Sequence, residues 1–366
     1  MNQLTPVPAA VSIAAQVQVL ATATGVPPYR FSQDEALALA GRQVPGFAHM
    51  TGVFANSGIV SRYSSVPLSW YETARGWRES NATYIDNALD LLEQVATRAL
   101  ADAGLKPDAV DALVLVSSSG IATPSLESRL ANRMRFASHA QRTPIFGLGC
   151  AGGATGLARA SQIARAMPGA NVLLLVVELG GLNVHVNRES AALFISTALF
   201  GDGAAALLLR AGPPSHAGLA AAAPGMCAVG ATGEHMWPDT GYVMGWEMMD
   251  DGLDLVLSGK LPKLTRDELL APTQAFLARH GLSLDDIDGY IVHPGGPKVM
   301  ESVRDALSLA PEALRHSAGV LRDYGNMSAA TVLFVLERTL AAGAKGRHLL
   351  LSFGPGFTAS FLLLDL

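Results

Sequence analysis

The chain has 366 residues, enough for two domains or for one large duplicated domain. It is 49% hydrophobic and 16% charged, which excludes an intrinsically disordered protein because the apolar surface suffices for a large core. The formal net charge is −5 and there is no basic run, so we expect neither nucleic acid nor an anionic membrane surface as a partner. The apolar stretch at 9–26 contains two glutamines and follows no positive charge, which argues against a signal peptide or membrane span.

Cysteine is rare in the chain. Only Cys150 and Cys227 occur, too few for a disulfide framework, and we expect free thiols in a reducing cytoplasm. The sequence shows no Cys and His cluster at metal-ligand spacing, no phosphate loop with lysine, and no dinucleotide fingerprint between a strand and a helix. It therefore predicts chemistry without a bound metal or cofactor.

An internal repeat divides the sequence. Residues 104–116 match residues 281–293 at an offset of 177, with a glycine, a leucine and two aspartates in register. At an offset of 176, residues 149–157 match residues 325–333, and a third pair follows in the same order. The sequence therefore predicts two copies of one α/β unit.

Apolar runs of strand length, such as 172–177 and 349–353, are typical of strands that helices cover on both faces. A stretch rich in Gly, Pro and Ala at 211–223 predicts the joint between the copies. We therefore predict an α/β fold, a five-layer αβαβα sandwich built from two duplicated halves. The N-terminal half should span 1–212 and the C-terminal half 213–366.

Three residues are candidates for chemistry. Small residues surround Cys150 and an amphipathic run follows it, so we expect its thiol at a helix N-terminus, where the helix dipole would lower its pKa. The alternative is a small cysteine packed among glycines. His293 ends an apolar strand before Pro and two Gly, where open α/β sheets place site residues, although such a histidine can also be structural. Asn326 stands at another helix start, where it could equally be an N-cap.

The repeat connects these three residues. Its offset sets Cys150 opposite Asn326, so a pseudo-twofold packing of the halves would bring both to one point, with His293 on a neighbouring strand. A Cys thiolate can attack a thioester, while His and Asn N–H groups stabilise the negative charge that develops on the carbonyl oxygen. The same donors could hold the enolate formed when a malonyl thioester loses carbon dioxide.

Five motifs now carry a resemblance to a known family. They are Gly-Cys-Ala-Gly-Gly at 149–153, Leu-Phe-Gly-Asp-Gly-Ala at 199–204, His-Pro-Gly-Gly-Pro at 293–297, Gly-Asn-Met-Ser at 325–328 and Phe-Gly-Pro-Gly-Phe at 353–357. In this order they resemble the type III polyketide synthases, the chalcone-synthase-like condensing enzymes of the thiolase superfamily, over essentially the full length. The resemblance implies a thiolase-like fold, an acyltransferase that uses coenzyme A thioesters and no cofactor, and a homodimer.

The resemblance also implies roles for single residues. Cys150 would carry the acyl group, and His293 and Asn326 would form the decarboxylation and oxyanion site. Phe200 corresponds to a gatekeeping phenylalanine. The other residues that would line the cavity are Ser118, Thr123, Asn183, Trp246, Leu255 and Ser328. In the loop at 120–124, one subunit would reach toward the cavity of its partner.

The sequence departs from the family in several places. Leu255 stands where a second gatekeeping phenylalanine is usual, so we expect a less aromatic entrance or cavity wall. Gly180 and Gly181 replace a Cys-Ser pair frequent in bacterial relatives, which would leave room for a longer acyl chain. The segment at 42–78 has four arginines but no lysine where plant members bind coenzyme A phosphates, so the acyl donor could be a coenzyme A or an acyl carrier protein thioester.

The segment at 244–253 is similar to that of bacterial alkylresorcinol and alkylpyrone synthases. We therefore predict a type III polyketide synthase that loads a long-chain fatty acyl-CoA on Cys150, extends it with malonyl-CoA and cyclises the product to an alkylresorcinol or alkylpyrone. The alternatives are a single-step β-ketoacyl-ACP synthase-like enzyme, a non-catalytic thiolase-like scaffold and, more remotely, a Cys-His-Asn hydrolase. The motif at 353–357 favours the polyketide synthase over the single-step enzyme.

Overall fold

The computed structural model describes residues 16–43, 51–183, 191–212, 227–250 and 252–366. The strands within these residues are β1 Val17–Gly25, β2 Tyr29–Ser32, β3 Ser61–Ser64, β4 Ala112–Val116, β5 Gln141–Ile145, β6 Val172–Leu179, β7 Asp202–Ala211, β8 Cys227–Met236, β9 Met244–Met249, β10 Gly252–Leu257, β11 Gly289–Val292, β12 Arg347–Gly354 and β13 Thr358–Asp365. The helices are α1 Gln33–Gln43, α2 Thr51–Ala55, α3 Trp77–Asp102, α4 Leu126–Met134, α5 Gly152–Ala166, α6 Ala191–Leu199, α7 Leu261–Glu268, α8 Leu270–Ala278, α9 Pro297–Ala306, α10 Arg315–Tyr324 and α11 Thr331–Ala341.

Nine of these strands are hydrogen-bonded in one series, β11-β12-β13-β8-β1-β7-β6-β4-β5. Strands β1 and β8 join the two halves through three residue pairs. Outward from this junction, β1-β7-β6-β4 and β8-β13-β12-β11 show the same sequence of antiparallel and parallel pairings. The predicted duplication is therefore confirmed, and β5 is an additional edge strand of the N-terminal half.

Helices α5 and α11 form the middle layer between the strands of the two halves. Helix α5 contacts β6 and β7 on one side and β12 and β13 on the other, and α11 packs against α5, β1 and β11. Small residues permit this packing: a Cβ at Gly153 would lie only 2.1 Å from the carbonyl oxygen of Ala329. Helix α3 covers β1, β6 and β7 from outside, while α8 and α9 contribute to the apolar cluster outside β12 and β13. The predicted five-layer α/β fold is therefore confirmed.

The sequence-based segments fit this fold with two restrictions. The N-terminal apolar stretch continues into β1, a central strand of the sheet, and its beginning at 9–15 lies outside the described residues. The joint predicted at 211–223 lies mostly outside them too, so the boundary between 212 and 213 stays a prediction. Within the described part of the chain, no helix combines the length and the apolar character needed to cross a bilayer.

Candidate active site

Cys150 lies in a 3-10 turn, Gly149–Ala151, that leads directly into α5. The turn requires glycine: Gly147 has φ +89° and Gly149 has φ +45°, in the left-handed region that side chains disfavour. The hydroxyl of Ser118 accepts hydrogen bonds from the N–H groups of Gly147 and Gly149, both at 3.2 Å. These contacts fix the thiol at the start of the buried central helix.

His293 and Asn326 come from the C-terminal half. His293 follows β11 and is 2% exposed, and within the described chain neither of its ring nitrogens has a hydrogen-bond partner. The side-chain oxygen of Asn326 accepts the N–H of Ser328 at 2.8 Å, and its amide nitrogen donates to the carbonyl of Gly295 at 3.3 Å. The amide orientation is therefore fixed, and its other N–H is on the side of the Cys150 thiol.

Cys150, His293 and Asn326 all line one cavity of about 80 Å³, which we call the reaction cavity. Its remaining walls are mainly apolar and come from Ile195, Leu199, Met244, Leu257, Leu261, Val299 and Phe353. Of the other predicted site residues, it includes Phe200, Trp246, Leu255 and Ser328. The Cys150 thiol contacts the Ser328 hydroxyl at 3.7 Å. The structure thus brings a thiol, an imidazole and an amide together in an apolar enclosure.

Three residues predicted for the cavity are not in its lining. The Ser118 hydroxyl is engaged by the turn before Cys150. Asn183 is buried, but its amide donates to the carbonyl of Ser119 at 2.8 Å. Thr123 lies on the surface, before the cis peptide bond to Pro124. Ser118 and Asn183 therefore support the walls of the site from behind.

Burial dominates the protonation of the site. It raises the pKa of the Cys150 thiol to about 11, with a smaller rise from the charge of Glu178, and hydrogen bonds from Ser328 and Asn326 only partly oppose it. This corrects the expectation that the start of α5 lowers the pKa of this thiol. Burial also lowers the pKa of His293 to about 3, so its imidazole is neutral at physiological pH. No hydrogen bond joins the two side chains in the described structure.

Glu178 is a buried group near the site that the sequence interpretation did not assign. It is 1% exposed, and its carboxylate accepts the N–H of Ser118 at 3.1 and 3.2 Å. Burial raises its pKa to about 7, so it titrates in the physiological range. The available signal was a single carboxylate in the otherwise apolar strand β6.

Two aromatic side chains line the reaction cavity beside Leu255. The Trp246 ring lies 6.1 Å from the Phe200 ring, and Trp246 pairs directly across the hairpin with Leu255. An indole from the opposite strand is thus the neighbour of the leucine at the position of the second gatekeeper. The predicted room is absent at Gly181, whereas Gly180 has space for a Cβ in ordinary contact. A Cβ at Gly180 would lie 3.6 Å from the Phe200 ring, and one at Gly181 would lie 2.7 Å from the hydroxyl of Tyr71.

A second cavity, of about 450 Å³, adjoins the reaction cavity, and we call it the outer cavity. The two share Ile195, Leu199, Leu257, Leu261, Gly295 and Val299. The first residues of α7 and α9 line the outer cavity, and so does Lys298. Helix N-termini and a lysine side chain favour anions, so this cavity offers the lysine that 42–78 lacks. In the described ranges, no group of three or more His, Cys, Asp or Glu side chains could hold a metal ion.

Comparisons with known proteins agree with this geometry. Residues 74–213 match the family model described as chalcone and stilbene synthases, N-terminal domain, and residues 229–365 match the C-terminal domain of the same family. A relative from Streptomyces peucetius subsp. caesius, 1,3,6,8-tetrahydroxynaphthalene synthase, is 38% identical over 94% of this chain and 92% of its own.

Two solved structures are similar in both fold and sequence. PKS-I from the brown alga Ectocarpus siliculosus has a TM-score of 0.88 and 29% identity, covering 97% of this chain and 99% of that one. The 1,3,6,8-tetrahydroxynaphthalene synthase of Streptomyces coelicolor A3(2), described as a bacterial type III polyketide synthase, has a TM-score of 0.87 and 29% identity, covering 95% and 99%. The chain therefore belongs to the chalcone and stilbene synthase family, the type III polyketide synthases, which are condensing acyltransferases.

Proposed function

We propose that Cys150 carries the growing acyl chain. We also propose that N–H groups of His293 and Asn326 donate hydrogen bonds to the thioester carbonyl oxygens. The neutral imidazole of His293 takes the proton of the Cys150 thiol, and the Cys150 sulfur attacks the starter thioester. A new thioester forms on Cys150, the bond between the acyl carbon and the donor sulfur breaks, and the leaving thiolate of the donor takes the proton from His293. The observation that carries this proposal is the shared reaction cavity, in which these three groups meet among apolar side chains.

The extension step uses the same two donors. A malonyl thioester loses carbon dioxide when its carbon–carbon bond breaks, and the electron pair moves onto the carbonyl oxygen as an enolate. The N–H groups of neutral His293 and of Asn326 stabilise this charge in a water-poor enclosure. The enolate carbon then attacks the acyl group on Cys150, a carbon–carbon bond forms, and the Cys150 sulfur leaves.

For the starter we propose a long-chain fatty acyl thioester and, as product, an alkylresorcinol or alkylpyrone. The apolar lining of the reaction cavity supports this choice, because an alkyl chain there loses contact with water. A second candidate is priming by malonyl-CoA alone, with a tetrahydroxynaphthalene as product. The 38% identical relative with that name favours it, and so does the small volume beside Cys150.

We propose acyl-CoA and malonyl-CoA as the donors, entering through the outer cavity. Lys298 and the starts of α7 and α9 could hold phosphate groups there, while the pantetheine arm passes Leu257 toward Cys150. An acyl carrier protein remains the alternative donor, since its prosthetic arm carries the same phosphopantetheine. A cytoplasmic location agrees with two free cysteines, Cys150 and Cys227.

Product identification from the purified enzyme tests the proposed starter. Malonyl-CoA is supplied alone and together with fatty acyl-CoA thioesters of increasing length, and the products are identified by mass spectrometry. We expect products that retain the alkyl chain, with several malonyl-derived units added. Cys150→Ala serves as the control and should form none of them. A bicyclic tetrahydroxy product from malonyl-CoA alone, without alkyl products, would establish the second candidate.

We further propose that two chains associate through the edge strand β5. Among the described strands, β5 pairs with β4 alone, and two large apolar side chains that follow β5 and β4 in the chain are exposed, Phe146 at 57% and Ile121 at 42%. Ile121 belongs to the loop at 120–124, which includes Thr123. A second copy of the chain would cover these side chains, because an isologous contact brings the same surface from both partners.

A further inference from the structure

Arg62 is a buried cation beside the reaction cavity that belongs to none of the groups assigned above. It lies on β3 and is 2% exposed. Its guanidinium donates to the carbonyls of Thr197 at 2.6 Å, Ala198 at 2.9 Å and Phe200 at 3.0 Å. Carbonyls at the end of a helix lack helical N–H partners, and Arg62 supplies donors to the end of α6 and to the gatekeeping residue.

The segment held by Arg62 is hydrogen-bonded directly to Asn326. The N–H of Asn326 donates to the carbonyl of Leu199 at 2.8 Å, and the N–H of Gly201 donates to the carbonyl of Asn326 at 3.0 Å. The backbone on both sides of Phe200 is thus attached to the backbone of Asn326. Any movement at the end of α6 is therefore passed to the residue that carries the amide.

Close packing makes this junction stiff. A Cβ at Gly201 would lie 2.4 Å from the carbonyl oxygen of Tyr324, and one at Gly325 would lie 2.9 Å from that of Leu199. Both would also lie 3.4 Å from the Cβ of Arg62. Segments from the two halves therefore meet with no side chain between them, and the stem of Arg62 packs against both.

Neighbouring side chains hold the charged guanidinium of Arg62 in this position. Gln33 accepts a further hydrogen bond from the guanidinium, and the Phe31 ring lies 5.7 Å from it. Burial lowers the pKa of Arg62 to about 10, while Tyr71 and Asp202 raise it, so the side chain is cationic at neutral pH. Within the described residues, its hydrogen bonds to backbone carbonyls go to residues 197, 198 and 200, in the segment attached to Asn326.

We infer that Arg62 is a positioning residue for the extension chemistry: it holds the end of α6 so that the Asn326 amide faces the thioester carbonyl. The inference rests on the proposed role of Asn326 in decarboxylation. A displacement of about 1 Å in a catalytic group can lower a rate roughly a hundredfold. Losing the guanidinium should therefore reduce the decarboxylation of malonyl-CoA while the thiol of Cys150 keeps its reactivity.

The experiment uses Arg62→Lys, which keeps the positive charge, and Arg62→Gln, which removes it. Release of carbon dioxide from malonyl-CoA reports on Asn326 without any starter, and alkylation of Cys150 by iodoacetamide reports on the nucleophile. Arg165→Gln is the matched control, because Arg165 also donates to backbone carbonyls, those of Val229 and Gly230, far along α5 from Cys150. Thermal unfolding is followed for every variant.

We expect decarboxylation to fall roughly 10- to 100-fold in both Arg62 variants, with alkylation within about threefold of the wild type. Adding Arg62→Lys to Asn326→Ala should cost less than about threefold further, because residues that act through one group are not additive. Unchanged decarboxylation in folded Arg62→Lys would overturn the inference, and so would an equal loss in Arg165→Gln. If the wild type itself releases no carbon dioxide, the proposed function fails, independently of Arg62.

Discussion

Burial disfavours the charged forms of the two side chains that we propose for acyl transfer, Cys150 and His293. It raises the pKa of Cys150 to about 11 and lowers that of His293 to about 3, so both shifts act against a thiolate–imidazolium pair at physiological pH. A neutral imidazole can take the thiol proton during attack, and it can donate an N–H to the thioester oxygen. Under the proposed function, loading of the starter then includes deprotonation of Cys150 as part of the reaction.

This protonation state predicts how alkylation of Cys150 depends on pH. Below its pKa, the thiolate fraction of a thiol rises about tenfold per pH unit, so the rate with iodoacetamide should increase steadily between about pH 6 and 9. The rate is measured by mass spectrometry, and Cys150→Ala corrects for reaction at Cys227. A rate that levels off near pH 7 would show a thiolate already stabilised by His293 and would contradict the expectation.

At the residue scale, the sequence predicts that Cys150, His293 and Asn326 lie close together. The reason is the repeat, whose offset of 176 sets two helix starts opposite each other. The direction in which the pKa of Cys150 is shifted could not be derived from the sequence. It depends on burial, and residues that lie far away in sequence, such as His293, Asn326 and Phe353, enclose the cavity in which Cys150 lies. The contacts of Arg62 could not be predicted from the sequence either, because its partners are backbone carbonyls, which any residue type provides.

At the scale of elements, the hairpin β9–β10 forms part of the wall of the reaction cavity. Trp246 on β9 and Leu255 on β10 are directly paired, so their side chains lie on the same face of the hairpin and are neighbours. The sequence showed a leucine at the position of the second gatekeeper. It did not show which residue lies across from it, because the register of a hairpin depends on the turn between the strands.

We expect the aromatic ring of this hairpin to determine starter size, and an aromatic ring on the opposite strand should have the same effect. Trp246→Gly removes the ring that faces Phe200, and we expect the preference between short and long acyl-CoA starters to shift roughly tenfold or more toward the long ones. Trp246→Gly combined with Leu255→Phe should restore most of the original preference. Competition between two starters, with products quantified by mass spectrometry, measures the shift.

Met248 provides the matched control for this prediction. It lies on the same strand as Trp246 but is 57% exposed and absent from the reaction cavity, so Met248→Ala should leave the starter preference unchanged. An unchanged preference in Trp246→Gly would show that the ring does not select the starter. A failure of the double variant to restore the preference would place the selection elsewhere in the cavity.

At the scale of the whole molecule, the fold and the family followed from the repeat and from five motifs in one order, and both are confirmed. Strand order could be anticipated because duplicated sequences fold into duplicated units. The starter and the product could not be fixed in this way, because many side chains from both halves determine the cavity together. The space expected at Gly181 illustrates this, since the hydroxyl of Tyr71 occupies it from a distant part of the chain.

The last prediction concerns the association of two chains through β5. Phe146 is 57% exposed at the end of this edge strand, and burying such a side chain in an interface contributes about 1.5–3 kcal/mol. We therefore expect a dimer by analytical ultracentrifugation, and a monomer for Phe146→Arg because the arginine places two like charges at an isologous contact. Tyr242→Arg is the control, since Tyr242 is 53% exposed on a surface away from β5. A wild-type monomer, or a dimer unaffected by Phe146→Arg, would place the contact elsewhere or remove it.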